Sequence, residues 1–146
     1  MMAFILREMR KIDKIIVHCT ATAEGKDYHV ADVDKWHKQK GWKGIGYHYL
    51  VTLDGTIERG RPENEIGAHC TGQNKNSIGI CYVGGLDKSG KAKDTRTEAQ
   101  KKSLLELIVA LIIKYPQAKI YGHCDFANKD CPCFDARKEY YNINLK

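Results

Sequence analysis

The chain has 146 residues, of which 42% are hydrophobic and 29% charged, values that are typical of one globular domain and exclude wholesale disorder. The longest apolar run, from Leu104 to Ile113, has ten residues and is interrupted by Glu106, whereas a membrane-spanning helix needs about 20. The net charge of +6 is spread along the chain and forms no basic run, which argues against a specific nucleic-acid-binding surface. We therefore expect a soluble domain with no membrane span.

The first half of the chain predicts a buried strand, a helix and a hairpin, in that order. The β-branched run over residues 14–19 is typical of a buried strand. Apolar residues recur at helical spacing over residues 30–40, which predicts a helix. Strand-like segments over residues 47–52 and 56–59 flank Asp54-Gly55, a pair that favours the turn of a β-hairpin.

The second half predicts two more strands and a long helix. Residues 77–83 form a hydrophobic run typical of a buried strand, and residues 119–123 form another. Between them, Thr97 and Gln100 match a capping box, in which two side chains satisfy free backbone N–H groups at the start of a helix. This helix runs to about Lys114 and is apolar on most faces, so we expect it to be the central core helix.

The order of these elements indicates the class of fold. Residues 124–133 are expected to form a loop, and residues 134–141 a short closing helix. Strands and helices alternate irregularly around one hairpin, which predicts an α/β fold with a mixed central β-sheet and helices on its faces. We expect one domain over residues 1–146, with its core at about 14–141.

The chain contains six cysteines, at positions 19, 70, 81, 124, 131 and 133. Residues 1–10 contain neither the apolar core nor the small-residue cleavage site of a secretory signal. We therefore expect synthesis in the cytoplasm without a signal peptide, and folding in a reducing compartment. Under those conditions cysteines are more often buried, metal-binding or catalytic than paired in disulfides.

Histidine and cysteine follow two of the predicted strands, and cysteine recurs in the loop after the second. His18-Cys19 and His123-Cys124 each end a hydrophobic strand, where successive side chains point to opposite faces, so one metal takes only one member of each pair. Histidine is the expected ligand, because free cysteine is among the most buried residues. Together with Cys131, two imidazoles leave a fourth position open on zinc, as in catalytic zinc sites.

Two other interpretations of these residues remain open at this point. Histidines at strand ends are often structural residues that hold no metal at all. Alternatively, Cys131, Cys133 and His123 form a closed structural zinc site, with His48 or Cys124 as the fourth ligand. Such a site stabilises the fold and has no catalytic role.

Many short stretches of the chain, in their order of occurrence, resemble one family. They are residues 16–22, 36–38, 41–42, 46–49, 67–69, 74–79, 83–85, 122–123, 129–132 and 134–135. Together they resemble the zinc-dependent N-acetylmuramoyl-L-alanine amidases (type 2 amidases), which share their fold with peptidoglycan-recognition proteins. Within that family the sequence is most similar to the small amidase-type lysozymes, or endolysins, of bacteriophages.

This resemblance implies a reaction and assigns residues to it. By position, His18, His123 and Cys131 match the family's zinc ligands, with one Zn²⁺ per chain, and Tyr47 and Lys129 match its catalytic pair. The implied reaction is hydrolysis of the amide bond between N-acetylmuramic acid and the L-alanine of peptidoglycan, which degrades the bacterial cell wall.

The resemblance also implies substrate contacts and partners. His69 and Asn76 fall in segments with which the family lines its groove, so we expect them to bind substrate. The expected partners are peptidoglycan or muropeptides, and the protein is expected to be a monomer. It is expected to act on the cell wall after release, or on muropeptides in the cytoplasm. The sequence departs from the phage pattern at Cys124, where a histidine is common, and at Cys133, where a serine is common.

Three alternative functions give different expectations. A non-catalytic peptidoglycan-recognition module keeps the groove but typically lacks the cysteine ligand, which is present here as Cys131. Some phage relatives also bind and restrain a phage RNA polymerase, and nothing in this sequence indicates that role. A zinc-stabilised nucleic-acid-binding domain conflicts with the spread charge. The sequence therefore favours an enzyme.

Overall fold

A five-stranded β-sheet lies at the centre of the protein. The computed structural model describes residues 10–145, so the prediction of no signal peptide over residues 1–10 falls, apart from Arg10, outside the described residues. The strands are β1 (Lys14–Cys19), β2 (Thr22–Ala23), β3 (Tyr49–Val51), β4 (Ile57–Arg59), β5 (Ser77–Tyr82), β6 (Gly85–Leu86) and β7 (Lys119–Gly122). Their order in the main sheet is β4-β3-β5-β1-β7, and β2 pairs with β6 in a small separate sheet.

Helices follow the strands in the positions that the sequence predicts. Within residues 10–145 the α-helices are α1 (Val30–Gln39), α2 (Glu98–Lys114) and α3 (Ala136–Glu139). Single turns of 3₁₀-helix occur at Asn74–Asn76, His123–Asp125 and Tyr141–Leu145. None of these helices is long and apolar enough to cross a membrane.

Strand β1 lies between β5 and β7 and runs parallel to both. Its register places His18 opposite Cys81 of β5, and Val17 opposite Gly122 of β7. Because the carboxyl ends of parallel strands meet at one edge of a sheet, His123, the residue after Gly122, is level with His18. Strand β3 is parallel to β5 and antiparallel to β4, so the predicted mixed sheet is confirmed.

The alternation of side chains along β1 separates histidine from cysteine. Ile15, Val17 and Cys19 are buried in the larger hydrophobic cluster, which also contains the inner face of α2. His18 points to the opposite face of the sheet, where Leu50 is buried in the smaller cluster with residues of α1. The two members of the His18-Cys19 pair thus point to opposite faces, as predicted.

Helix α2 covers one face of the sheet and presents its other side to solvent. Its buried side chains are Gln100, Leu104, Leu107, Ile108, Leu111 and Ile112. Burying an aliphatic side chain of this size contributes about 1.5–3 kcal/mol, which makes this packing a main source of stability. Leu105, Val109 and Ile113 are exposed on the outer side, so α2 is a core helix on one face only.

Two details of the fold differ from the sequence predictions. The β2–β6 pair was not predicted, because strands of two residues are too short to show a hydrophobic period. The closing helix is shorter than residues 134–141, since the side chain of Asp135 caps α3 and the chain continues after Tyr140 as a 3₁₀ turn. The other predicted strands, both longer helices and the hairpin are confirmed.

Candidate metal centre and active site

Three metal-ligating side chains meet at the carboxyl edge of the parallel strands. Ligand atoms of His18, His123 and Cys131 all lie within 4.8 Å of one another, and the Cys131 Sγ is 3.9 Å from His18 Nδ1. The two histidines come from neighbouring strands, β1 and β7. Cys131 returns to them on the loop after β7, which is closed by a hydrogen bond from Cys124 N–H to the Cys131 carbonyl at 2.8 Å.

Two of these three side chains, those of Cys131 and His18, also contact other parts of the protein. The backbone N–H of Cys19 donates a hydrogen bond to Cys131 Sγ at 3.2 Å, which holds the sulfur in place. The His18 ring is buried, and its Nε2 lies 2.8 Å from His69 Nδ1, so only Nδ1 remains free to face Cys131. These contacts set the direction in which the donor atoms point.

The electrostatic surroundings keep both imidazoles neutral. Burial lowers the pKa of His18 well below its usual value, and the nearby His69, His123 and Lys129 lower it further. Burial also lowers the pKa of His123, again assisted by Lys129. A neutral imidazole carries the lone pair that a metal needs, so the site is prepared for a cation at neutral pH.

Tyr47 lies beside the group of ligands. Its ring centroid is 5.1 Å from that of His18 and 5.4 Å from that of His37, a buried residue of α1. His37 Nδ1 accepts a hydrogen bond from Gly46 N–H at 2.8 Å, which fixes the backbone next to Tyr47. Burial, followed by the thiol of Cys81, raises the pKa of Tyr47, so its phenol stays protonated and can donate a hydrogen bond.

Lys129 is exposed on the loop that carries Cys131, close enough to lower the pKa of both histidine ligands. It lines an open cleft of about 480 Å³. The other lining residues are Ala92, Lys93, Cys124, Asp125, Asp130, Cys133, Phe134 and Asp135. A positive side chain therefore lines the cleft and acts electrostatically on His18 and His123.

The structure places the two residues predicted to bind substrate in different surroundings. His69 is buried directly behind His18, with its Nε2 3.2 Å from Ser77 Oγ. Asn76 donates its side-chain amide to the Lys11 carbonyl at 2.8 Å. It precedes Ser77, which pairs with the opposite end of β1 from His18, so the fold does not bring Asn76 to the metal ligands. Substrate binding by either residue stays a prediction.

The alternative structural zinc site is not assembled in the described part of the chain. Cys133 Sγ donates to the Gly85 carbonyl at 3.2 Å and lies 4.0 Å from Cys19 Sγ. Both ring nitrogens of His48 are used by the backbone, at Gly79 N–H and at the Glu65 carbonyl. Within residues 10–145, the group that could hold a metal is the one with His18, His123 and Cys131.

One supporting residue was not predicted from the sequence. The side chain of Arg96 is only 3% exposed, and it pairs with Asp94 at 2.9 Å and with Glu139 at 2.7 Å. Its guanidinium carbon lies 3.4 Å from the ring centroid of Phe134, three positions after Cys131. No local pattern marks such a residue, because Glu139 and Phe134 are distant from it in the chain.

Comparison with known proteins decides among the possible enzymes with such a site. The profile of the family described as N-acetylmuramoyl-L-alanine amidase matches residues 8–134. The chain belongs to this family. It is a peptidoglycan amidase, and its mixed α/β domain, with the central sheet between helices, is the fold of this family and of the peptidoglycan-recognition proteins.

The similarity to individual proteins covers most of the chain. The amidase is 42% identical over 132 residues to an endolysin of Escherichia phage T7, which covers 90% of this chain and 87% of that protein. It is 44% identical over 126 residues to an endolysin of Enterobacteria phage T3, covering 86% and 83%. Among solved structures, the amidase LysC from Clostridium intestinale superposes with a TM-score of 0.78 at 33% identity, covering 94% of this chain and 88% of that one.

Proposed function

We propose that this protein is a zinc-dependent lytic amidase in which Tyr47 and Lys129 assist the hydrolysis of the N-acetylmuramoyl-L-alanine bond. The observation that carries this proposal is the convergence of His18, His123 and Cys131 within 4.8 Å at the carboxyl edge of the sheet. One chain supplies all three ligands, so a monomer is sufficient for activity.

The residues fit zinc in chemistry and in spacing. Zinc binds imidazole nitrogen at about 2.0–2.1 Å and thiolate sulfur at about 2.3 Å, which separates two such ligands by about 3.6 Å in a tetrahedron. The 3.9 Å between Cys131 Sγ and His18 Nδ1 is close to this separation. Three protein ligands leave the fourth position for water or substrate, as in catalytic zinc sites.

The bound zinc would lower the pKa of water and polarise the scissile carbonyl. The protein's own residues then supply two further contributions. Tyr47, beside His18, donates a hydrogen bond that orients the attacked carbonyl or the water. Lys129, at the cleft, attracts the negative charge that develops on the carbonyl oxygen, and such a donor contributes about 3–4 kcal/mol to transition-state stabilisation.

The relatives support a proposal for the physiological substrate. Two of the similar proteins are phage endolysins, so we propose that this enzyme degrades peptidoglycan of the cell wall after its release from the cytoplasm. Muropeptides, the soluble fragments of the same polymer, carry the same amide bond and serve as smaller substrates.

Digestion of purified peptidoglycan with and without a metal chelator tests this proposal. We expect new amino termini on L-alanine, no new reducing sugar ends, loss of activity in chelator, and its return when zinc is added. Reducing ends without L-alanine termini would indicate a glycosidase and contradict the assignment. Binding to peptidoglycan without any cleavage by the zinc-loaded protein would indicate a recognition module instead.

A further inference from the structure

The imidazole of His69 connects a metal ligand to the interior of the sheet. His69 Nδ1 lies 2.8 Å from His18 Nε2, and His69 Nε2 lies 3.2 Å from Ser77 Oγ. Ser77 is fully buried at the start of β5, whereas His18 is near the end of β1. The three side chains thus form a continuous hydrogen-bonded row along the face of the sheet that carries the metal ligands.

The surroundings of His69 hold its ring in this one position. A Cβ atom at Gly79 would lie 2.6 Å from His69 Cγ and Cδ2, and one at Gly67 would lie 2.7 Å from Cδ2. Either distance is too short for real atoms, so the ring occupies space that only glycine leaves open. The side chain of Asn74 accepts hydrogen bonds from the N–H groups of His69 and Cys70 at 2.9 Å each, which fixes the backbone.

The row of hydrogen bonds restricts where protons can lie. A neutral His18 that offers Nδ1 to a metal carries its proton on Nε2 and donates it to His69 Nδ1. His69 then carries its own proton on Nε2, facing Ser77 Oγ, which can accept it. The reverse tautomer of His18 would place the proton on Nδ1, towards Cys131, and would leave no lone pair there for a metal.

We propose that His69 is a positioning residue that fixes the tautomer and the ring orientation of His18, and thereby sets the affinity of the site for zinc. This inference rests on the proposed zinc site. It differs from the substrate-binding role expected from the family, because both ring nitrogens of His69 are engaged by the protein and its exposure is 9%. Partners of this kind typically change metal affinity about 10–100-fold when they are removed.

Two variants of His69 separate hydrogen bonding from packing. His69→Gln keeps an acceptor towards His18 and a donor towards Ser77, whereas His69→Leu keeps volume and loses both. We expect the zinc dissociation constant, measured by competition with a chromogenic chelator, to rise about 10–100-fold in His69→Leu and less than about 5-fold in His69→Gln. His29→Gln, an exposed histidine at the start of α1, is the matched control and should not change it.

The tautomer of His18 can be measured in the unaltered protein, which tests the proposal even if a variant does not fold. Long-range ¹H–¹⁵N correlation spectra report which nitrogen of each histidine carries the proton. We expect His18 protonated on Nε2 in both the metal-free and the zinc-loaded protein. A metal-free His18 protonated on Nδ1 would overturn the proposal.

Kinetics distinguish the positioning role from a substrate contact. Zinc affinity unchanged in a folded His69→Leu, together with a raised KM for muropeptides, would overturn positioning and support substrate binding. A wrong proposed function would give another result: the unaltered protein itself would bind no zinc or would cleave no amide bond. Zinc affinity is read without activity, so the two failures are distinguishable.

Discussion

Cys131 reaches the metal group from a loop, whereas His18 and His123 lie at the ends of neighbouring strands. The loop keeps its shape through backbone hydrogen bonds that do not involve the sulfur. We therefore expect Cys131→Ala to lose bound zinc and peptidoglycan cleavage while it retains the circular dichroism spectrum of the folded protein. Metal analysis and the release of L-alanine amino termini measure the two losses.

Cys124→Ala is the matched control for this prediction, because Cys124 is an exposed thiol on the same loop and lies outside the group of ligands. It should keep both zinc and activity. If Cys131→Ala were unfolded, or if the unaltered protein unfolded on metal removal as a zinc finger does, the site would be structural rather than catalytic.

Lys129 contributes a charge at the cleft and no ligand atom to the metal group. We expect Lys129→Ala to lower kcat about 10²–10³-fold, as the loss of an oxyanion donor does, with normal zinc content. Lys119→Ala removes the same charge at the far end of β7 and should leave kcat unchanged. Equal rates for both variants would exclude Lys129 from the reaction.

The sequence predicts which residues form the possible metal-binding group better than it predicts their surroundings. His18 and His123 were found because each follows a hydrophobic strand, and the parallel register of β1 and β7 brings them level. Which strands are neighbours is a tertiary property that no local pattern shows. The contact between His69 and His18 depends on that arrangement, so it was not predicted, and the family resemblance gave His69 only a substrate-binding role that stays a prediction.

The start of helix α2 is anchored to the sheet through Gln100, which is fully buried. Its side chain accepts from Thr97 N–H and donates to the carbonyls of Val51 and Val83. Gln100→Met keeps the length but leaves buried groups unpaired, each at a cost of about 1–3 kcal/mol, so we expect the free energy of unfolding to fall by at least about 2 kcal/mol. Urea denaturation measures this change.

An exposed position on the same turn provides the comparison. Lys101→Met alters a side chain that faces solvent and should change the free energy of unfolding by no more than about 0.5 kcal/mol. Equal effects of the two substitutions would show that Gln100 is only a capping residue and not a link to the sheet.

Elements with a strong local signal were predicted, and elements that depend on distant partners were not. The capping box of α2 and the Asp54-Gly55 turn are local, and Gly55 adopts the positive φ of 86° that such turns favour. The β2–β6 pair joins two residues to two others far along the chain, so its formation follows from the rest of the fold.

The stability of the whole molecule should depend on pH through its buried histidines. Burial lowers the pKa of His37 and of His48 to about 4, and each Nδ1 accepts a backbone N–H that protonation would displace. In the unfolded chain their pKa is about 6.5. The unfolded state therefore binds more protons between pH 4 and 6.5, so the stabilisation is complete above about pH 6.5 and is lost as the pH falls towards 4.

We expect the free energy of unfolding of the metal-free protein, measured by urea denaturation, to decrease from pH 7 to pH 4.5, by at most about 1.4 kcal/mol per pH unit for each histidine. His37→Gln should reduce this slope. His29→Gln should not reduce this slope. His29 is exposed and its pairing with Glu58 raises its pKa, so its effect on the pH dependence of stability has the opposite sign. A free energy of unfolding independent of pH over this range would contradict the prediction.

The buried guanidinium of Arg96 ties the cysteine loop to the end of the chain, because it contacts Phe134 as well as Glu139 and Tyr140. The family profile stops at residue 134, before two of these three contacts. A truncation there would leave the buried guanidinium of Arg96 with Asp94 as its remaining counterion. Because Glu139 and Tyr140 lie beyond that point, we expect deletion libraries to show a sharp loss of folded protein between Phe134 and Tyr140.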